Sequence, residues 1–171
     1  SCRPNIPGDC LTPNYTKNDK AEDVKVLKFM TDLHKKAEKH GGAIYSLVGN
    51  HELMNVDGDM TYVSYDNLNE FGGESGRQDA FKPGNEMANF LACTRKMALI
   101  IGSNLFVHAG FEPELVENYG IDDINKFMAL YLLGELKNPK NFREDFMIKS
   151  NSPLWTRTFG NINMSNDTCE R

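Results

Sequence analysis

The sequence predicts one α/β layered unit, on three observations. The apolar run Ala43 to Val48, bounded by Gly41, Gly42 and Gly49, has the length and character of a buried interior strand. Met97 to Ile101 and Asn104 to Val107 read as two further strands, joined by Gly102-Ser103 in a tight hairpin. Around them apolar residues recur at the three-and-four spacing of amphipathic helices. No internal repeat, low-complexity tract or linker divides residues 1–171, which are expected to form a single domain. The strands are too few for a closed α/β sheet.

Taken in order, residues 1–18 are rich in proline and turn formers and read as a loop. Asp19 is expected to open a helix with Val26, Leu27, Met30, Leu33 and Ala37 on its apolar face and Lys28, Lys35, Lys36 and Lys39 opposite, ending at Gly41-Gly42. The interior strand follows. Beyond it Asp57-Gly58-Asp59 marks a turn, and Asp66 to Gly76 looks irregular. The two aspartates suit a turn better than a calcium site, because the EF-hand loop is absent. Asn85 to Cys93 predicts a helix buried through Met87, Phe90 and Leu91. Asp122 to Leu136 predicts another, through Ile124, Phe127, Met128, Tyr131 and Leu132, stopped by Asn138-Pro139. His34 and His40 read as solvated helix residues.

The composition, 40% hydrophobic and 25% charged over 171 residues, fits a soluble domain with one core. A net charge of −5 without a basic face argues against a nucleic-acid partner. No stretch approaches the roughly 18 apolar residues of a membrane span, and Ser-Cys-Arg-Pro-Asn is not a signal pattern, so no membrane association is expected. Cys2, Cys10, Cys93 and Cys169 are irregularly spaced and include no Cys-x-x-Cys pair. They are expected to be reduced, in an intracellular, cytoplasmic protein.

Ligands of parallel α/β sheets bind beyond the carboxyl ends of the strands. One such end delivers Asn50, His51 and Glu52, another His108. An amide oxygen and an imidazole nitrogen both suit divalent first-row metals, so Asn50 and His108 are candidate ligands of one ion, with His51 placed to protonate a leaving group. Hydrogen-bonded structural histidines would look the same, and the residues alone leave both readings open.

Ordered motifs narrow the choice. Gly49-Asn50-His51-Glu52 and Val107-His108-Ala109-Gly110 resemble the third and fourth motifs of the calcineurin-like metallophosphoesterases, in the phosphoprotein phosphatase branch. The similarity is closer to the Shewanella-like phosphatases, through Leu53-Met54-Asn55, Gly58-Asp59, Tyr62-Val63-Ser64, Phe71-Gly72-Gly73, Ala80 to Gly84 and Pro153-Leu154-Trp155-Thr156-Arg157. The resemblance spans about residues 44–157. It implies a layered α-β-β-α metallophosphoesterase sandwich, here truncated at both ends, and hydrolysis of phosphomonoesters by a metal-bound hydroxide. The substrate it implies is a phosphoprotein or phosphopeptide, on serine, threonine or tyrosine. It implies a centre of two divalent ions (manganese, iron or zinc), with Asn50 and His108 as ligands of the second, His51 as general acid and Glu52 orienting the motif. It makes Arg157 a candidate for holding a phosphate oxygen, a surface salt bridge being the competing role.

The chain departs from the family's pattern at both ends. Asp-x-His and Gly-Asp-x-x-Asp-Arg, which supply the other metal's ligands and the partner of the catalytic histidine, do not occur; Gly8-Asp9-Cys10 starts the second motif without continuing it, and Arg3 cannot be aligned to its arginine. A terminal Gly-His-Thr strand end is absent as well. The expectation is an internal piece of a longer phosphatase, with little or no activity alone. The alternatives are a dinucleoside-polyphosphate hydrolase of the same superfamily and a non-catalytic pseudophosphatase that binds phosphate.

Overall fold

The computed structural model describes residues 21–160. Helix α1 (Asp23–Glu38) begins at Asp23; the expected start, Asp19, lies outside the described residues, as do the expected loop over 1–18, Arg3, Cys2, Cys10 and Cys169. The expected face of α1 is met in part, with Leu27, Met30, Leu33 and Ala37 half-buried and the four lysines exposed, but its deepest residues lie to one side of it. Val24 and Thr31 are buried, whereas Val26 is 55% exposed. Arg95 explains the shift, because its buried guanidinium donates to Thr31 Oγ1 at 2.9 Å and to the Leu27 carbonyl at 2.7 Å. His34 is not merely solvated, since its Nδ1 accepts the Ile44 N–H at 3.1 Å and ties α1 to the segment that follows.

That segment, residues 43–48, is not the interior strand expected from its apolar character. It forms one parallel bridge, Leu47 with Lys96, held by Val48 N–H to Lys96 O at 2.9 Å and Lys96 N–H to Ser46 O at 3.3 Å. Its burial is correspondingly one-ended, with Tyr45 54% exposed and Val48 fully buried. The chain then turns directly into α2 (Asn50–Val56), and the stretch read as irregular contains α3 (Tyr65–Asn69) and α4 (Glu74–Phe81). These helices are too short for a recognisable apolar period, and local capping helps to fix the first two instead. Ser64 Oγ accepts the Asn67 N–H at 3.3 Å, and Glu52 Oε2 accepts the Gly49 N–H at 2.8 Å.

Helix α5 (Glu86–Thr94) leads to strands β1 (Ala98–Ile101) and β2 (Asn104–Val107), which pair antiparallel as expected, Leu99 opposite Phe106 and Ile100 opposite Leu105. Gly102 opens their two-residue turn at φ +61°, a conformation that favours glycine. The hairpin stands out from the core: Ile100, Ile101, Leu105 and Phe106 are 43–56% exposed. After α6 (Pro113–Asn118), α7 (Ile121–Leu132) presents Ile124, Met128, Tyr131 and Leu132 inward, packing on α5 and β1. It ends earlier than Asn138-Pro139 because Gly134, at φ +73°, reverses the chain while Glu135 N–H bonds back to Leu130 O at 2.8 Å. Helix α8 (Pro139–Phe142) continues as a π-helical turn over Arg143–Ile148, burying Phe142, Phe146 and Met147.

The expectation of mixed helix and strand is met, on a core centred on Leu53, Met87, Leu91, Met97, Ile124 and Leu132. Asp57 and Asp59 lie in a turn after α2, as expected: Asp57 pairs with Arg143 at 2.6 Å and Asp59 accepts the Thr61 N–H at 2.9 Å. Cys93 is a free, exposed thiol. No helix among the described residues is long and apolar enough to cross a membrane.

Gly76, in the first turn of α4, allows a close approach. A Cβ there would lie 1.9 Å from the Phe71 carbonyl oxygen. In an ordinary helix Gly→Ala is worth about 1 kcal/mol of stability. Here we expect the opposite sign, Gly76→Ala costing about 1–3 kcal/mol as backbone gives way, read from the urea midpoint. A midpoint that rises would contradict that packing.

Candidate active site

Asn50 and His51 occupy the first turn of α2, reached straight from the buried Val48-Gly49 pair. Gly49 is small for a reason of position: a Cβ would meet Glu52 Oε2 at 2.8 Å and the His108 ring at 3.1 Å. His108 follows β2 directly, and Ala109 N–H donates to Pro153 O at 3.0 Å, which fastens the segment carrying Trp155 and Arg157 beside it. The result is one cavity of about 720 Å³ that collects Asn50, His51, His108 and Arg157, with Tyr62 and Trp155 in its wall. All four residues singled out in the sequence are therefore brought together.

Asn50 is 8% exposed, and its Oδ1 lies 2.9 Å from His108 Nε2, across 58 positions of sequence. As placed, Nε2–H donates to the amide oxygen; the other tautomer would leave both lone pairs available to a shared ion. The pair fits part of a coordination shell for a divalent metal, an amide oxygen with an imidazole nitrogen. Among the described residues no cluster of three or more His, Cys, Asp or Glu side chains completes it.

His51 stacks on Tyr62, ring centroids 4.6 Å apart and planes within 7°. Burial pushes its pKa below the ordinary imidazole value, Glu52 opposing and His108 reinforcing the shift. The shift works against the protonated form that a general acid needs, and Glu52 works for it. Arg157 forms no salt bridge among the described residues; its Nη1 donates to the carbonyls of Trp155 and Thr156 at 2.8 and 3.0 Å, leaving the rest of the guanidinium at the cavity wall.

Behind α2 lies a support that the sequence did not disclose. The His51 carbonyl accepts from Asn55 Nδ2 at 2.8 Å, and Asn55 Oδ1 accepts from Arg77 Nε at 2.7 Å. Arg77 is 3% exposed, reaches Asp23 Oδ2 at 2.6 Å and the Asn67 carbonyl at 3.2 Å, and lies over the rings of Phe71 and Phe81. An arginine just after a stretch that reads as irregular gives no sign of this burial.

The fold matches crystal structures of the cold-active protein-tyrosine phosphatase of a psychrophilic Shewanella species, at 24% identity and a TM-score of 0.64, over 85% of this chain and 45% of that one. No family model matches the chain. By sequence it is similar to an uncharacterised protein of Acanthamoeba polyphaga mimivirus (37% identical over 167 residues, 82% of this chain and 66% of that protein). It is also similar to Shewanella-like protein phosphatase 2 of Arabidopsis thaliana (26% identical over 180 residues, 81% of this chain and 45% of that protein). The chain spans roughly half to two thirds of the length of the relatives it matches.

Proposed function

We propose that this chain carries half of the active site of a metal-dependent phosphoprotein phosphatase of the calcineurin-like superfamily, its α-β-β-α layering completed by chain beyond the described residues. The observation that carries the reading is the convergence of Asn50, His51, His108 and Arg157 on one cavity from three separate segments of sequence. Asn50 and His108 would hold one of two divalent ions, which when bound supplies Lewis-acid polarisation of a phosphoryl oxygen and acidifies a water. Arg157 turns its free guanidinium edge to a phosphate oxygen, the bidentate task for which that group is suited. His51, beside the Asn50 and His108 pair, hands a proton to the departing alkoxide or phenoxide oxygen. Tyr62 fixes the plane of its ring.

The test uses the full-length protein with manganese and a phosphopeptide. Release of inorganic phosphate is expected, and Asn50→Ala and His108→Ala should each weaken the apparent metal affinity by about tenfold or more, in activation curves and in calorimetric titration of the metal. Unchanged metal binding in both variants would remove the proposed ligand set. Faster turnover of a dinucleoside tetraphosphate than of the phosphopeptide would redirect the reading to a polyphosphate hydrolase. Phosphopeptide binding without turnover, persisting in chelator, would make the cavity a recognition module.

A further inference from the structure

A second cavity, of about 350 Å³, opens on the other side of Asn50. It shares Asn50, Tyr62 and Trp155 with the candidate active site, and Leu53, Met54, Met147 and Ile148 give the rest of it an apolar part of thioether and aliphatic carbon. Ile148, the last residue of the π-helical turn, is 60% exposed, an apolar side chain in water at the cavity's edge. Asp57, Asp59 and Thr61 line it as well. Arg143 neutralises Asp57, but Asp59 has no cationic partner among the described residues and leaves the mouth negative.

We infer that this cavity is a specificity subsite that takes an apolar side chain of the substrate peptide adjacent to the phosphorylated residue. The inference rests on the phosphatase reading. A peptide advances about 3.3–3.6 Å per extended residue, so a phosphorylated residue seated at Asn50 and His108 places its neighbour across the shared wall of Tyr62 and Trp155. Transfer of a leucine- or methionine-sized side chain onto Met54, Met147 and Ile148 removes apolar surface of both partners from water. An aspartate or glutamate there would lose its hydration and face Asp59. Leucine, methionine and phenylalanine beside the phosphorylated residue are therefore favoured, and acidic neighbours are disfavoured. Methionine-rich walls adapt to side chains of different shape, which suits selection by class rather than by a single residue.

The test compares two phosphopeptides that differ only in carrying leucine or aspartate beside the phosphorylated residue, on the full-length protein with manganese, by the KM of each in steady-state dephosphorylation. The wild-type KM is expected to be lower for the leucine peptide by about tenfold or more. Ile148→Lys, at an exposed position outside the catalytic set, should have a lower KM for the aspartate peptide than the wild type does and collapse the preference, while p-nitrophenyl phosphate, too small to reach the subsite, is hydrolysed as before. A merely structural role for Ile148 would weaken both peptides alike. If p-nitrophenyl phosphate is hydrolysed but the wild-type preference is absent, or survives Ile148→Lys, the subsite is wrong and the phosphatase stands. If Ile148→Lys lowers thermal stability and leaves selectivity untouched, a segment of the protein itself covers the cavity and the inference is overturned. If neither hydrolysis nor phosphate-dependent peptide binding occurs, the functional reading fails and the subsite with it.

Discussion

Arg77→Ala is expected to cost roughly 3–5 kcal/mol of stability, the range for breaking a buried charge pair by removing one partner. Three groups lose their donor at once: the Asp23 carboxylate, the Asn55 amide oxygen and the Asn67 carbonyl. The carboxylate is 37% exposed and can recover water, so the larger part of the loss falls on Asn55, 5% exposed, and on the void between the Phe71 and Phe81 rings. Arg77→Met refills the void without the donors and should recover a good part of the packing loss. Urea unfolding of the three proteins separates the two contributions. An alanine variant within about 0.5 kcal/mol of the parent, the scale of an ordinary surface change, would mean that the guanidinium is not buried as described. The effect reaches the site as well, because Asn55 holds the His51 carbonyl and so the first turn of α2.

His51→Asn in the full-length protein should lower kcat on a phosphopeptide by about 10²–10⁴-fold, the usual yield of a positioned general acid. KM should move little, since Arg157 and the Asn50 and His108 pair are left in place. The leaving group makes the prediction specific. A p-nitrophenolate departs with little help from a proton, whereas a serine alkoxide depends on one, so the loss on p-nitrophenyl phosphate should be smaller by at least about tenfold. Equal losses on the two substrates would deny His51 the acid's role and leave it as a binding or packing residue stacked on Tyr62.

Much of this was legible in the sequence where a long period or a compact motif was present. The inward face of α7 was visible as Ile124, Met128, Tyr131 and Leu132, and the hairpin as two apolar runs around Gly102-Ser103. The cluster of Asn50, His51, His108 and Arg157 was visible through ordered motifs, and the structure supplies the contact that spacing could not. Short elements were not legible. Helices α2, α3 and α4 run five to eight residues, about one to two turns, too short to show a stripe; caps help to hold α2 and α3, and Arg77 ties α4 to Asn55 and to the Asn67 carbonyl. Residues 43–48 misled in the other direction, because apolar character reports burial and not partners, and a strand needs both.

The hairpin has a further consequence. Leu99 and Phe106 share one face of the ribbon and Ile100 and Leu105 the other, so neither side resembles a finished surface. No lysine, proline or inward charge interrupts Ala98–Ile101, and among the described residues β1 and β2 form a two-stranded sheet whose outer edge is capped only at Ala98, where Asn125 accepts the N–H at 3.2 Å and donates to the carbonyl at 2.8 Å. A ribbon of this kind behaves in solution as a template, inviting another strand to lengthen it. Self-association through the exposed side chains of this ribbon, Ile100, Ile101, Leu105 and Phe106, is therefore expected wherever nothing covers them, and a charge placed among them, as in Ile100→Lys, should suppress it.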